Sequence, residues 1–181
     1  LDLFVSSGGV EHPLGDPALR DRLYLNQGNG SFLSASADAI PAAGYSSSVV
    51  SAADMDRDGD LDLFIGSRSV PGKYPEIPVS RLLRHEGVQG RPRFVEATIP
   101  SLSRVGLVTG ASWTDVNDDG WVDLAIVTEW GSPRLFVSKG GELSDQSESA
   151  GLTHHAGWWN GLATGDLDGD GDLDLVATNV G

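Results

Sequence analysis

The sequence predicts an all-β protein built from repeated units of four short antiparallel strands. Short β-rich runs alternate with Gly-rich connections along the 181 residues, and no segment shows the 3.6-residue apolar periodicity of an amphipathic helix. An acidic phrase also recurs, and its final Asp residues follow one another in steps of 60, 61 and 51 residues. Repeats of about this length with four strands are typical of the blades of a β-propeller.

The acidic phrase has the form D-x-[DN]-x-[DN]-G-x-x-D, and three complete copies begin at Asp54, Asp115 and Asp166. Oxygen atoms at positions 1, 3 and 5 can surround one hard cation if position 6, always Gly here, turns the chain sharply. Position 7 supplies only its backbone carbonyl, which explains why a Trp is tolerated there, and the Asp at position 9 closes the site. The predicted calcium ligands are Asp54, Asp56, Asp58, Asp60 and Asp62; Asp115, Asn117, Asp119, Trp121 and Asp123; and Asp166, Asp168, Asp170, Asp172 and Asp174.

The phrase has two other possible interpretations, an EF-hand and a metal-free turn. An EF-hand requires Glu at position 12, but the three copies have Ile65, Ile126 and Ala177 there, and each phrase leads into a β-rich run. Asp and Gly also form solvated turns without a metal. Because three copies keep the ligand positions while the residues between them vary, we expect about three calcium ions per chain.

The charge distribution favours the metal interpretation. The chain has 26 acidic and 12 basic residues, a net charge of −14, and 14 of the acids lie in the three phrases. Carboxylates packed this closely repel one another unless a cation compensates for them. The acidic balance argues against nucleic-acid binding, and no apolar run is long enough for a membrane span. The absence of Cys excludes disulfides and thiolate metal sites.

The phrases and the strands around them divide the chain into units of one partial propeller. The chain opens on Leu1-Asp2-Leu3-Phe4, which matches Leu61-Asp62-Leu63-Phe64, so Asp2 is expected to be position 9 of a fourth phrase. The sequence is therefore expected to be a segment of a larger propeller. The predicted units over 1–181 are strands two to four of a blade in 1–47, full blades in 48–106 and 107–156, and strands one and two of a further blade in 157–181.

Within the units, Gly-rich turns indicate hairpins between the third and fourth strands. The expected strands of the second unit are 48–53, 61–67, 81–85 and 94–97. The third and fourth strands of the first unit are expected at 22–26 and 31–34, and those of the third unit at 134–138 and, more weakly, 142–143.

Three motifs together resemble the FG-GAP/VCBS repeats of integrin-α-like β-propellers. They are the acidic phrase followed by Leu-Asp-Leu, the hairpin at 22–32, and the run Gly157-Trp158-Trp159-Asn160-Gly161. They look most similar to the bacterial versions often found beside an ASPIC/UnbV domain. The resemblance implies an exported or cell-surface protein with a seven-bladed propeller, in which each calcium loop joins the first two strands of a blade. The chain would supply about three of the seven blades, and the others would belong to a longer chain.

The long, irregular loops are expected at the end of the propeller opposite the calcium loops, and they carry most of the unusual side chains. Aromatic residues there could stack on a sugar ring or pack against a protein partner. For one of two adjacent Trp residues we expect a packing role instead, because consecutive strand residues point to opposite faces. The candidate ligand-binding residues are Tyr74, Trp130, His154, His155, Trp158 and Trp159.

The sequence contains no nucleophile motif and no phosphate-binding Gly loop, so the predicted function is non-enzymatic. We expect an extracellular adhesion or ligand-binding scaffold with structural calcium and a protein or carbohydrate partner. The alternative is a carbohydrate-binding or carbohydrate-active propeller, such as a lectin, lyase or glycosidase, with its site opposite the calcium loops. A glycosidase needs two facing carboxylates, and the candidates outside the calcium loops are scattered: Glu11, Asp16, Glu76 and Glu129.

Overall fold

The computed structural model describes residues 1–88 and 90–180; Gln89 and Gly181, which fall in the second and last predicted units, lie outside the described residues. The described residues form 13 β-strands and three short helical turns. The strands are β1 (Leu3–Val5), β2 (Arg22–Asn26), β3 (Phe32–Ser34), β4 (Ser46–Ala53), β5 (Asp62–Ser69), β6 (Arg81–His85), β7 (Phe94–Ala97), β8 (Leu107–Thr114), β9 (Asp123–Glu129), β10 (Arg134–Lys139), β11 (Glu142–Asp145), β12 (Trp159–Gly165) and β13 (Asp174–Asn179).

The strands form four antiparallel sheets in which neighbours along the chain are also neighbours in space. The sheets are β1-β2-β3, β4-β5-β6-β7, β8-β9-β10-β11 and β12-β13. Two sheets therefore have four strands, and the other two have three and two. This arrangement confirms the predicted fold class, an all-β protein of four-stranded antiparallel blades that is present as part of a propeller.

Most strand bounds agree with the predictions. β2, β6 and β7 begin and end at the predicted residues, and β4 begins two residues earlier than expected. β11 is longer than predicted and reaches Asp145, which pairs with Phe136 of β10. The polar composition of this strand gave only a weak β signal, but its backbone pairing with β10 supplies the stability.

The helical turns lie in segments that were expected to be loops. Two are 3₁₀ turns, at Pro17–Leu19 and Leu152–His154, and the third is α1 (Pro100–Ser103). α1 has Pro at a first-turn position and buries Leu102 against the core, which is where Pro is tolerated in a helix. No helix in the described residues is long and apolar enough to cross a membrane.

The core lies between successive sheets. Phe64 of β5 packs in one cluster with Leu124, Ile126 and Phe136 of the next sheet. Its neighbour Leu63 points to the other face of β5, into a second cluster that contacts the first sheet. Side chains on the two faces of one strand are thus buried by two different neighbouring sheets, which is how adjacent blades stabilise one another.

A repeated side-chain contact also joins neighbouring sheets. The first strand of each later sheet is irregular in its register, and Ser48 of β4 and Thr109 of β8 each lie at such a register shift. Ser48 Oγ lies 3.1 Å from the carbonyl oxygen of Gly66 in its own sheet and 2.9 Å from that of Val108 in the next sheet. Thr109 Oγ1 repeats the arrangement, 2.8 Å from the carbonyl oxygen of Trp159 in the next sheet. These hydroxyls contact neighbouring blades through polar atoms at the strand bulge.

Candidate metal-binding loops

All three complete acidic phrases lie at the same end of the molecule. They connect β4 to β5, β8 to β9 and β12 to β13, which are the first and second strands of their sheets. Because the strands alternate in direction, the hairpins between third and fourth strands share this end. The connections from second to third strands and from sheet to sheet lie at the opposite end.

The backbone of each phrase makes the predicted turn at position 6. Gly59, Gly120 and Gly171 have φ values of 94°, 81° and 100°, in the left-handed region that favours glycine. A second left-handed residue at position 4 was not predicted, although the Gly at this position in the third phrase was a signal for it. Position 4 is Arg57 (φ 62°), Asp118 (φ 54°) and Gly169 (φ 81°).

The first loop brings three predicted ligands together. Carboxylate oxygens of Asp54, Asp56 and Asp58 lie within 4.8 Å of one another. Backbone donors orient all three. Gly59 N–H donates to Asp54 Oδ2 at 3.1 Å, Asp58 N–H to Asp56 Oδ1 at 3.3 Å, and Asp60 N–H to Asp58 Oδ1 at 2.9 Å. Asp54 Oδ1 is buried and has no hydrogen-bond partner among the described residues. A convergent, all-oxygen donor set with a buried unpaired carboxylate oxygen fits a hard cation.

The third loop forms a similar group with a different membership. Asp166, Asp168 and Asp174 offer oxygens within 4.8 Å of one another, so position 9 takes part here in place of position 5. Gly171 N–H donates to Asp166 Oδ2 at 3.1 Å. The other two predicted ligands, Asp170 and Asp172, have exposed side chains outside this group.

The middle loop has a weaker donor set. Asp115 is oriented by Gly120 N–H, which donates to its Oδ2 at 2.7 Å. The amide nitrogen of Asn117 donates to Asp119 Oδ2 at 3.1 Å. The side chains at positions 1, 3 and 5 are thus two carboxylates and an amide, where the first loop has three carboxylates. Trp121, predicted to contribute only its carbonyl, donates its backbone N–H to Asp119 Oδ1 at 2.8 Å.

Position 9 has a structural contact that the sequence analysis did not predict. Asp62 is fully buried; its Oδ2 accepts from the Met55 backbone N–H at 3.1 Å, and its Oδ1 accepts from the His85 backbone N–H at 2.9 Å. Asp123 is equally buried and bonds Val116 N–H and Ser138 N–H in the same way. These carboxylates hold the start of the loop and the third strand together.

Burial also changes the proton affinity of these two carboxylates. Desolvation raises the pKa of Asp62 and of Asp123 above the ordinary value, with a smaller contribution in the same direction from nearby loop carboxylates. Backbone hydrogen bonds to the charged form act in the opposite direction. Burial therefore makes the Asp at position 9 bind a proton more tightly than an exposed Asp does. A nearby cation would instead favour the ionised form.

Two basic residue types, Arg and His, contact the first loop. Arg84 Nε lies 3.2 Å from Asp56 Oδ2, and His85 Nδ1 lies 3.0 Å from Asp60 Oδ2. The Arg57 guanidinium contacts the carbonyl oxygen of Gly120 and lies 4.2 Å from the centroid of a Trp121 ring. Arg57 therefore links the first acidic loop to the second through a cation–π contact.

At the opposite end, the structure brings together some of the candidate ligand-binding residues and separates others. Tyr74, Trp130 and Trp158 are exposed, and Trp130 contacts both of the others. Trp159 is half-buried, and its indole N–H donates to the Gly131 carbonyl at 3.1 Å, which agrees with a packing role for one of the adjacent Trp residues. The remaining candidates, His154 and His155, are exposed and belong to no metal-binding group among the described residues.

Comparison with known proteins supports the resemblance found in the sequence. Residues 1–65 and 87–177 match the family described as an FG-GAP-like repeat. A search of curated proteins found no relative that matches this chain. The matched residues include all three complete acidic phrases and all or part of every sheet. The chain belongs to the FG-GAP-like repeat family.

Proposed function

We propose that this chain is a calcium-stabilised propeller segment, a non-enzymatic scaffold whose acidic loops hold structural calcium and whose opposite end binds a partner. The observation that carries the proposal is the convergence of Asp54, Asp56 and Asp58, with the buried Asp54 Oδ1 left unpaired by the described residues. A carboxylate oxygen buried without a partner is costly unless a cation binds it.

The donor set favours calcium over other common metals. Every candidate ligand atom is an oxygen, and the chain has no Cys, whereas zinc sites use mainly His and Cys. Calcium accepts six to eight oxygens in a flexible arrangement, and a nine-residue loop with carboxylates and a position-7 carbonyl supplies such a set. Magnesium requires a near-octahedral shell and keeps several waters. We expect the middle site to bind most weakly, since Asn117 replaces a carboxylate.

In this proposal the ions support the fold. The first two loops lead into the buried inner strands β5 and β9, and the buried Asp62 and Asp123 attach these loops to third strands. A bound ion would compensate the charge of the loop carboxylates and would reduce the repulsion between them. The same ions would occupy the carboxylate lone pairs, which favours a structural over a catalytic role.

The same chemistry favours a particular location for the protein. Loops of moderate calcium affinity are filled where free calcium is abundant, so we propose an exported or cell-surface location. We also propose that the units 1–47, 48–106, 107–156 and 157–181 act as parts of one propeller. Further blades of a longer chain would cover the outer faces of the first and last sheets.

The test is isothermal titration of calcium into the chain and into loop variants. We expect about three ions per wild-type chain, and one fewer in each double variant: Asp54→Asn with Asp56→Asn, and Asp166→Asn with Asp168→Asn. The matched control is Asp118→Asn, which removes a loop charge at position 4, where the side chain is not a predicted ligand. Equal losses in the control and the ligand variants would indicate diffuse charge attraction and would contradict the proposal.

A further inference from the structure

Three exposed aromatic side chains form a cluster at the end opposite the calcium loops. The rings of Trp130 and Trp158 have centroids 4.9 Å apart and are tilted by 36°. The Trp130 indole N–H donates to the Tyr74 hydroxyl at 2.6 Å. Trp130 is 61% exposed, Trp158 is 38% exposed and Tyr74 is 57% exposed. We call these three residues the aromatic cluster. Together they form an exposed aromatic patch of the kind found at binding surfaces.

A buried carboxylate forms a hydrogen bond with the aromatic cluster. Glu129, the last residue of β9, has a side chain that is only 4% exposed. Its Oε1 accepts from Trp158 Nε1 at 3.0 Å and from Arg68 Nη2 at 2.5 Å. Oε2 takes part in neither bond, and the Arg68 side chain is half-exposed. The cluster therefore combines apolar ring faces with an ordered set of polar groups.

The backbone at Trp130 indicates that the position of this indole is maintained against a local cost. Its φ is 57°, in the left-handed region, which is unfavourable for a bulky residue and natural for glycine. A residue selected only for backbone compatibility would be Gly or Asn. Unfavourable conformations of this kind concentrate at binding and catalytic sites.

We infer that the aromatic cluster, with Glu129 and Arg68, is a binding site for a neutral pyranose ring of a glycan. A pyranose has an apolar C–H face, which matches an exposed indole, and a rim of hydroxyls, which matches Glu129, Arg68 and the Tyr74 hydroxyl. The inference deepens the proposed scaffold function, on which it rests, by naming the ligand class of the opposite end.

Charge selects neutral over acidic sugars. Arg68 is compensated by Glu129 within the site, so no cation is left unpaired for a uronate carboxylate. The five residues of the site contain one carboxylate, whereas glycoside hydrolysis uses a facing pair. The site is therefore assigned to binding and not to cleavage.

The experiment uses the calcium-loaded 181-residue chain and a defined set of probes. Cellopentaose, maltopentaose, mannopentaose and chitopentaose are titrated by calorimetry, with oligogalacturonate as the anionic comparison. Binding of at least one neutral oligosaccharide, with none of the anionic one, is expected. If no neutral probe binds while calcium still binds and stabilises the chain, the glycan proposal is wrong and the scaffold proposal stands.

Variants locate the site. Trp130→Gly suits the left-handed backbone, so the fold is retained while the ring is lost, and Trp158→Ala removes the second ring. Each is expected to weaken the association constant about ten-fold or more, whereas Phe32→Ala, an exposed aromatic at the calcium-loop end, leaves it unchanged. Unchanged affinity in Trp130→Gly and Trp158→Ala would overturn the assignment. Glycan binding without any calcium binding would instead overturn the proposed scaffold function and leave the glycan site in place.

Discussion

Asp62 Oδ1 accepts a hydrogen bond of 2.9 Å from the backbone N–H of His85, 23 residues away in the chain. The contact joins the end of the first acidic loop to the last residue of β6. Asp123 makes the same bond to Ser138 at 2.7 Å. Asp2 accepts a corresponding hydrogen bond of 2.9 Å from the backbone N–H of Asn26, the last residue of β2. Position 9 of the first two phrases thus connects the loop to the third strand of its sheet.

The first prediction separates this role from metal binding. Asp62→Ala leaves the buried N–H groups of Met55 and His85 without their acceptor, so we expect a loss of about 3 kcal/mol in the free energy of unfolding. The loss should appear in calcium-free urea unfolding. Asp58→Ala, which removes an exposed loop carboxylate, is expected to cost less than about 1 kcal/mol without calcium and to reduce the stabilisation by calcium. If Asp62→Ala and Asp58→Ala lose similar free energies of unfolding without calcium, the structural role assigned to Asp62 is contradicted.

The raised pKa of Asp62 predicts a pH dependence in the calcium-free protein. Because desolvation raises the folded-state pKa, the folded protein binds this proton more tightly than the unfolded chain. Its contribution to the free energy of unfolding is then greatest below the unfolded pKa of about 3.9 and falls as the pH rises through the raised folded pKa. The free energy of unfolding of the wild type minus that of Asp62→Asn should therefore decrease from about pH 4 toward neutrality. Both values are measured by urea unfolding in the presence of a chelator. A difference that increases over this range would show that the folded-state pKa is not raised.

Arg57 is predicted to stabilise the contact between the first two acidic loops. Arg57→Ala removes the guanidinium that lies 4.2 Å from the Trp121 ring centroid and should lower the free energy of unfolding by about 0.5 to 1 kcal/mol. Arg57→Lys should recover only part of it, because an ammonium cannot stack as a plane. Asp118→Ala is the matched control, since Asp118 has the same loop position and a similar left-handed φ. If Asp118→Ala lowers the free energy of unfolding as much as Arg57→Ala does, the effect comes from the left-handed backbone at position 4 and not from the cation–π contact.

The bulge hydroxyls are predicted to stabilise the contact between sheets. Thr109→Val keeps the shape of the side chain but removes the hydroxyl that lies 2.8 Å from the Trp159 carbonyl oxygen. We expect a loss of about 1 kcal/mol in urea unfolding with an unchanged m-value. Thr109→Ser retains the hydroxyl and should lose less. If the Val variant is as stable as wild type and Ser is the weaker of the two, the methyl group and not the hydroxyl carries the contact.

The parts of the structure that the sequence predicted well are those governed by local patterns. β6 and β7 were placed to the residue because apolar and β-branched runs end at Gly-rich turns. The convergence of Asp54, Asp56 and Asp58 followed from loop spacing alone, as did the left-handed turn at Gly59. These features depend on residues a few positions apart.

The parts that it missed depend on distant residues or on backbone atoms. His85 bonds Asp62 through its backbone N–H, so no side-chain type at position 85 could have indicated the contact. The pairing of Trp130 with Trp158 requires the third and fourth sheets to be packed together. The single turn of α1 is too short to show helical periodicity, and only Pro100 hinted at it.

The most direct test of the account is thermal unfolding during a calcium titration, with magnesium as the control. If the acidic loops are ion sites that hold the blades together, the melting temperature rises with calcium and saturates, and magnesium gives a smaller shift. The combined variant Asp54→Asn, Asp56→Asn should lose part of the rise, whereas Asp118→Asn should retain it. No shift with calcium, or the same shift with magnesium and in both variants, would mean that the acidic phrases are only turns.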